Sequence, residues 1–269
     1  MDYNTTSLDT ICAALCYAMG VEPPAHAAPA HPELCAYIDE KLGGKKADRI
    51  LMYNPDAIAQ WVEEKYGDLY LREVSARTEL NLPLLTVMPS VTPVCFGTMY
   101  TGAQPEVHGI RRYEKPVITI DTIFDAMIRA GKKCAIVGDE QCSLSHIYLN
   151  RDMDYYPVTY VADINAKAAE LIAQDKYDLL IVYNGNYDGR MHKYGPESPL
   201  TLSELRANSL TFAMLNTMVK NLWKGHNTLM GFAMDHGCHE IDGSCGSHGL
   251  DMVEDLNIVH HYAVIPATE

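Results

Sequence analysis

The sequence predicts an α/β fold, with a mostly parallel central sheet and helices on both faces. Three observations lead there. Short apolar runs recur along the chain, and most are continuous rather than alternating, as strands buried on both faces require. Between many of them lie segments with apolar residues at three- and four-residue spacing, the period of a helix face. The composition, 48% hydrophobic and 21% charged over 269 residues, suits one large domain or two small ones and fits neither disorder nor a coiled coil.

The elements follow in order. Leu8–Met19 reads as a short apolar helix, Glu22–Pro32 as a Pro/Ala-rich linker, and Glu33–Leu42 as a second helix stopped by Gly43-Gly44. Residues 1–47 are therefore expected to form a helical N-terminal extension packed on a main domain of residues 48–269. The expected strands are Ile50–Tyr53, Leu84–Met88, Val117–Ile120, Cys134–Val137, Val158–Val161, Leu179–Tyr183 and Leu229–Met234. Helices are expected over Ala57–Tyr66, over Asp121–Ala130 with an Asp cap and a Gly131 stop, over Asp163–Gln174 and over Leu202–Trp223.

Charge narrows the function. Lys and Arg number 21 against 35 Asp and Glu, a net charge of −14. Such a chain is not expected to wrap a nucleic-acid duplex. It can still take a phosphate locally if metal ions supply positive charge. No stretch approaches the roughly 18–20 apolar residues of a membrane span. The apolar run Ile11–Met19 has no basic residue before it, so no signal peptide or membrane partner is expected and the expected location is cytoplasmic. The eight Cys contain no CxxC pair and are expected to be mostly free thiols rather than a zinc knuckle at Cys238 and Cys245.

In parallel α/β sheets, chemistry gathers at the carboxyl ends of the strands. Four of the expected strands end in polar residues: Asn54-Pro55-Asp56, then Thr92, then Asp188 with His192, then Asp235-His236 with His248 a few residues on. Taken singly, each has a plain structural explanation: a helix cap, a turn, an ion pair on a helix surface. Together they form an Asp/His set that suits zinc, with manganese as an alternative. Asp56, Asp188, His192, Asp235, His236 and His248, with the Thr92 hydroxyl, are enough for two divalent ions. Two ions roughly 4 Å apart clamp the attacking and leaving oxygens of a phosphoryl transfer.

At these residues the sequence resembles the alkaline phosphatase superfamily, and within it the nucleotide pyrophosphatase/phosphodiesterase-like branch. The stretch Thr92–Ile110 is similar to the family's nucleophile segment: Thr92-Pro93 opening a helix, Thr101-Gly102 after it, then Pro105, His108, Gly109 and Ile110. Asp188, His192, Gly195 and Pro196 resemble the family's Asp-x-x-x-His-x-x-Gly-Pro loop, and Asp235-His236-Gly237 with His248-Gly249 resembles its last ligand segment. The likeness spans roughly residues 48 to 265. It implies Thr92 as nucleophile, one metal held by Asp188, His192 and His248, and a second held by Asp56, Asp235 and His236 and touching Thr92. The implied reaction forms a phospho-threonine intermediate that water hydrolyses. The substrate is then a small phosphoester, a diester or pyrophosphate before a monoester. The resemblance places the first ligand at Asp56 or, as the alternative, Asn54. It also puts Cys95 where phosphodiesterase relatives place an Asn that binds a phosphate oxygen. Thr92 and Phe96 depart from the sulfatase pattern. The competing readings are a phosphomonoesterase of the same superfamily and a non-catalytic metal-binding sensor or scaffold. Neither substrate nor oligomeric state is legible.

Overall fold

The computed structural model describes residues 2–268. Nine strands occur among them: β1 (Arg49–Pro55), β2 (Leu80–Leu85), β3 (Cys134–Asp139), β4 (Asp154–Val158), β5 (Leu179–Asn184), β6 (Thr228–Phe232), β7 (His239–Ile241), β8 (Cys245–Ser247) and β9 (Asn257–Ile265). Seven form one sheet in the order β2-β9-β6-β1-β5-β3-β4, and β7 and β8 form a separate antiparallel hairpin. From β6 to β4 all neighbours are parallel, with Tyr53 of β1 facing Val182 of β5 and Phe232 of β6. β9 enters antiparallel between β6 and β2. The central strands are buried along their length because helices cover both faces. One helix set, Gln60–Tyr70, Val161–Gln174 and Pro199–Leu222, packs together on one side; Thr10–Met19, Thr92–Thr101, Ile123–Arg129 and Ser143–Ile147 pack together on the other.

Thr10–Met19 and Pro32–Leu42 are helices, and their buried side chains join the same apolar core as the sheet. Just before them the Leu8 N–H donates to the Leu85 carbonyl, and the Leu85 N–H donates to Thr6.

Three expected strands are corrected. Val117–Ile120 is not a strand, since its backbone groups find other partners: the Ile118 N–H donates to the Ile147 carbonyl, and the Arg151 guanidinium caps the carbonyls of Ile118 and Ile120. The expected strand Leu84–Met88 lies earlier, at β2. There Leu80 and Leu82 are buried and alternate with exposed Asn81 and Pro83, an edge strand where a proline costs no ladder bond. The expected Val158–Val161 strand ends at Val158, and Val161 opens a helix whose first turn donates back to the Tyr160 carbonyl. The cap before Ile123 is Thr122, in a capping box with Asp125, whereas Asp121 pairs with Arg129. Beyond the short β7 and β8, which were not expected either, the strand with no counterpart in the sequence reading is β9. Its consecutive His260 and His261 break the apolar pattern, yet both are buried, His260 against the Met234 carbonyl and His261 between Asn81 and Glu63.

Candidate active site

All seven candidate residues reach one rim of the sheet, around the carboxyl ends of β1, β5 and β6. Asp56 follows β1, and Ala57 after it adopts φ +62°, turning the chain sharply before the helix Gln60–Tyr70. Asp56 does not cap that helix; Ala59 does. Asp188 and His192 lie one turn apart on the helix Asn186–Tyr194, which starts directly after β5. Asp235 and His236 follow β6, and His248 follows the β7–β8 hairpin. Thr92 opens the helix Thr92–Thr101, with Pro93 at a position where a missing N–H costs nothing.

The side chains converge into two groups: Asp188, His192 and His248 in one, Asp56, Asp235 and His236 in the other, the donor atoms of each group lying within 4.8 Å of one another. The groups adjoin, since the rings of His236 and His248 stack with centroids 4.1 Å apart. Thr92 Oγ1 lies 3.4 Å from Asp56 Oδ2 and 3.4 Å from His236 Nε2. Among the described residues neither Cys238 nor Cys245 joins such a group, and all eight cysteines are free thiols.

Both groups fit metal ions. Each carboxylate keeps one buried oxygen without a hydrogen-bond partner: Asp56 Oδ1, Asp188 Oδ1 and Asp235 Oδ2. Each imidazole has a backbone carbonyl at Nδ1, Gly246 for His192, Gly237 for His236 and Ser90 for His248, at 2.8–3.1 Å. Donation from Nδ1–H to those carbonyls assigns the tautomer that leaves the Nε2 lone pair free, as a metal ligand needs. The lone pairs then face unpaired oxygens, with His192 Nε2 3.1 Å from His248 Nε2 and 3.2 Å from Asp188 Oδ1. A divalent cation between them would make such a cluster favourable.

The protonation equilibria agree. Burial, with the charge of Asp188, pushes the Asp56 carboxyl up to about 7. Burial, with Asp56, lifts Asp235 well above the carboxylate range. Burial works in the same direction at Asp188, but the neighbouring imidazoles of His192 and His248 outweigh it and hold that carboxyl low. Burial, with nearby His248, drives His236 well below the usual imidazole value. At Asp56 and Asp235 the interior therefore penalises the negative charges that a divalent cation would neutralise.

Two further sequence expectations meet the geometry here. Asn54 belongs to neither group. Its Nδ2 donates to the Ala233 carbonyl at 2.7 Å, and its Oδ1 accepts from the Tyr100 hydroxyl at 2.6 Å, so both ends are used in the core. Cys95 does not line the cleft; it is fully buried, with Sγ toward the Val87 carbonyl, and burial raises its thiol well above the ordinary range. His108 braces the helix Thr92–Thr101: Ile110 N–H donates to Nδ1, Nε2 lies 3.1 Å from Thr98 Oγ1, and the ring packs where any side chain at Gly97 would stand.

Asp56, Thr92 and Asp188 line a cleft of about 290 Å³. Its other walls bring residues that the sequence reading did not single out. Tyr183, at the end of β5, donates its hydroxyl to Asp56 Oδ2. Tyr113 and Lys115 arrive from the coil after His108, and Ser143 and Thr159 from segments after β3 and β4. Tyr183 carried a signal, since it stands at a strand end just before Asp188 and His192. Lys115 carried none, because nothing in the local pattern ties that coil to the rim.

No protein-family model matches the chain, and no curated protein matches it. Solved structures do. Murine ectonucleotide pyrophosphatase/phosphodiesterase 5 superposes with a TM-score of 0.58 at 20% identity over 72% of this chain and 58% of its own. The human counterpart gives 0.58 at 18% identity over the same shares. Phosphonoacetate hydrolase from Sinorhizobium meliloti 1021, in complex with phosphonoformate, gives 0.54 at 18% identity over 76% of this chain and 61% of its own. The chain thus spans about six-tenths of the length of the structures it matches. With its mostly parallel sheet and helices on both faces, the chain has the fold of the alkaline phosphatase superfamily.

Proposed function

We propose that the chain is a metal-dependent phosphoester hydrolase with Thr92 as nucleophile and two divalent ions, zinc first, as cofactors. The observation that carries this reading is the placement of Thr92 Oγ1 at 3.4 Å from a buried Asp/His group in which each carboxylate keeps one oxygen without a partner. Asp188, His192 and His248 would hold one ion, and Asp56, Asp235 and His236 the other. Bound there, the ions would neutralise the carboxylates and stabilise charge on the phosphoryl oxygens. The helix N-terminus at Thr92 favours an anionic phosphoryl group in front of it. Asp56 Oδ2 is an acceptor within reach of the Thr92 proton. Thr92 Oγ1 forms the new bond to phosphorus, the ester oxygen leaves with its electron pair, and water then cleaves the phospho-threonine.

The neighbours support the reaction class. The murine phosphodiesterase has been solved as an inactive threonine-to-alanine variant in complex with AMP, and the bacterial hydrolase with phosphonoacetate. We take residues 48–269 as the hydrolase unit and residues 1–47 as an extension to it. The test is metal content together with turnover of bis(4-nitrophenyl) phosphate by the wild type and by Thr92→Ala. Close to two ions per chain and turnover that vanishes in the variant are expected; wild-type turnover in the variant removes Thr92 from the mechanism.

A further inference from the structure

Lys115 is the one cationic side chain that lines the cleft among the described residues. It reaches the cleft from the coil between the helices Pro105–His108 and Ile123–Arg129, and it is half-buried. Its Nζ donates to the Gln141 carbonyl at 2.5 Å, which uses one of three N–H bonds and fixes the ammonium in place. Among the described residues no carboxylate oxygen lies within 4.0 Å of it, although acidic residues outnumber basic ones 35 to 21. The cleft carboxylate outside the two metal groups, Asp139, accepts the Gln141 N–H at 2.8 Å and is thereby tied to its own loop. Ser143 and Thr159 add hydroxyls to the cleft lining. A cleft of about 290 Å³ with this lining suits a small polar arm rather than a polymer.

We propose that the far wall of the cleft is an anion subsite built on Lys115, so that the phosphoester taken at Thr92 carries a second anionic group on its other arm. This rests on the hydrolase reading above and deepens it. The phosphoryl group would sit at Thr92 between the two Asp/His groups, and the second anion would meet the Lys115 ammonium with the Ser143 and Thr159 hydroxyls. A charge-assisted hydrogen bond in a partly dry cleft is stronger than a neutral one, and Lys contributes it as a point charge without demanding a planar partner.

The experiment compares two non-hydrolysable ligands of similar length, 3-phosphonopropionate and propylphosphonate, by titration calorimetry on the zinc-loaded protein. Their ratio of dissociation constants isolates the second anion from the phosphonate. The wild type should bind 3-phosphonopropionate at least tenfold more tightly, Lys115→Arg should keep most of that preference, and Lys115→Ala should bring the ratio close to one. A wild-type ratio near one, or a preference that survives Lys115→Ala, overturns the subsite. Tighter binding of 2-aminoethylphosphonate than of both overturns it too, and would give the wall to Asp139. Because binding needs no turnover, the subsite is decided even if the protein hydrolyses no phosphodiester, an outcome that would sink the hydrolase reading instead.

Discussion

Replacing Asp56 by Asn should stabilise the metal-free protein at neutral pH while removing one metal. In the fold, burial lifts the Asp56 carboxyl from 3.8 to about 7. For an acid raised in the folded state, the folded protein holds the proton longer than the unfolded chain. Its contribution to stability is full below the unfolded value and is lost as pH rises through the folded one. At about 1.4 kcal/mol for each pH unit, the loss reaches about 2 kcal/mol at pH 5 and about 4 kcal/mol by pH 7.5. An Asn side chain carries no charge to desolvate, and its oxygen can still accept the Tyr183 hydroxyl. Urea unfolding in excess chelator should therefore show Asp56→Asn more stable than the wild type by about 2 kcal/mol at pH 5 and about 4 kcal/mol at pH 7.5. Zinc should reverse the order, because binding to the folded state alone adds stability in proportion to the logarithm of saturation, and the variant binds one ion fewer. A variant less stable than the wild type in chelator at pH 7.5 would refute the argument, since the buried charge would then not be the dominant cost.

The same geometry fixes other outcomes. Asn54→Ala should keep both metals by elemental analysis yet lose about 2–4 kcal/mol in urea, because it strands the Tyr100 hydroxyl and the Ala233 carbonyl in the core. Thr92→Ala should leave the melting temperature within a few degrees, as its contacts at 3.4 Å are long, and lower kcat by roughly a thousandfold or more. Burial pushes the His108 imidazole down to about 4, so the unfolded chain takes up that proton first and stability falls as pH drops below the unfolded value of about 6.5. The stability difference between the wild type and His108→Gln in chelator should consequently shrink by about 2 kcal/mol from pH 7.5 to pH 5; a constant difference would show that the fold leaves the proton affinity of His108 as it is in the unfolded chain.

The sequence by itself determined the central strands and the polar residues that gather on one rim. Runs such as Ile50–Tyr53, Cys134–Val137, Leu179–Tyr183 and Leu229–Met234 are apolar on both faces, so each is legible from its own few residues. Asp56, Asp188 and Asp235 were legible for the same local reason: each polar group follows directly on a buried strand. Elements whose partners lie far along the chain were not. β9 hides behind two histidines that look like surface residues until Glu63, Asn81 and the Met234 carbonyl are brought beside them. Val117–Ile120 looks like a strand until Arg151 takes its carbonyls. Asn54 and Asp56 stand two residues apart with similar claims on a metal. Only the packing distinguishes them, by satisfying both ends of Asn54 in the core and leaving one oxygen of Asp56 without a partner. Lys115 reaches the cleft the same way, through a coil whose own sequence has no period to read. Local pattern encodes what a residue buries, but the partner that satisfies a buried polar group is set by the fold.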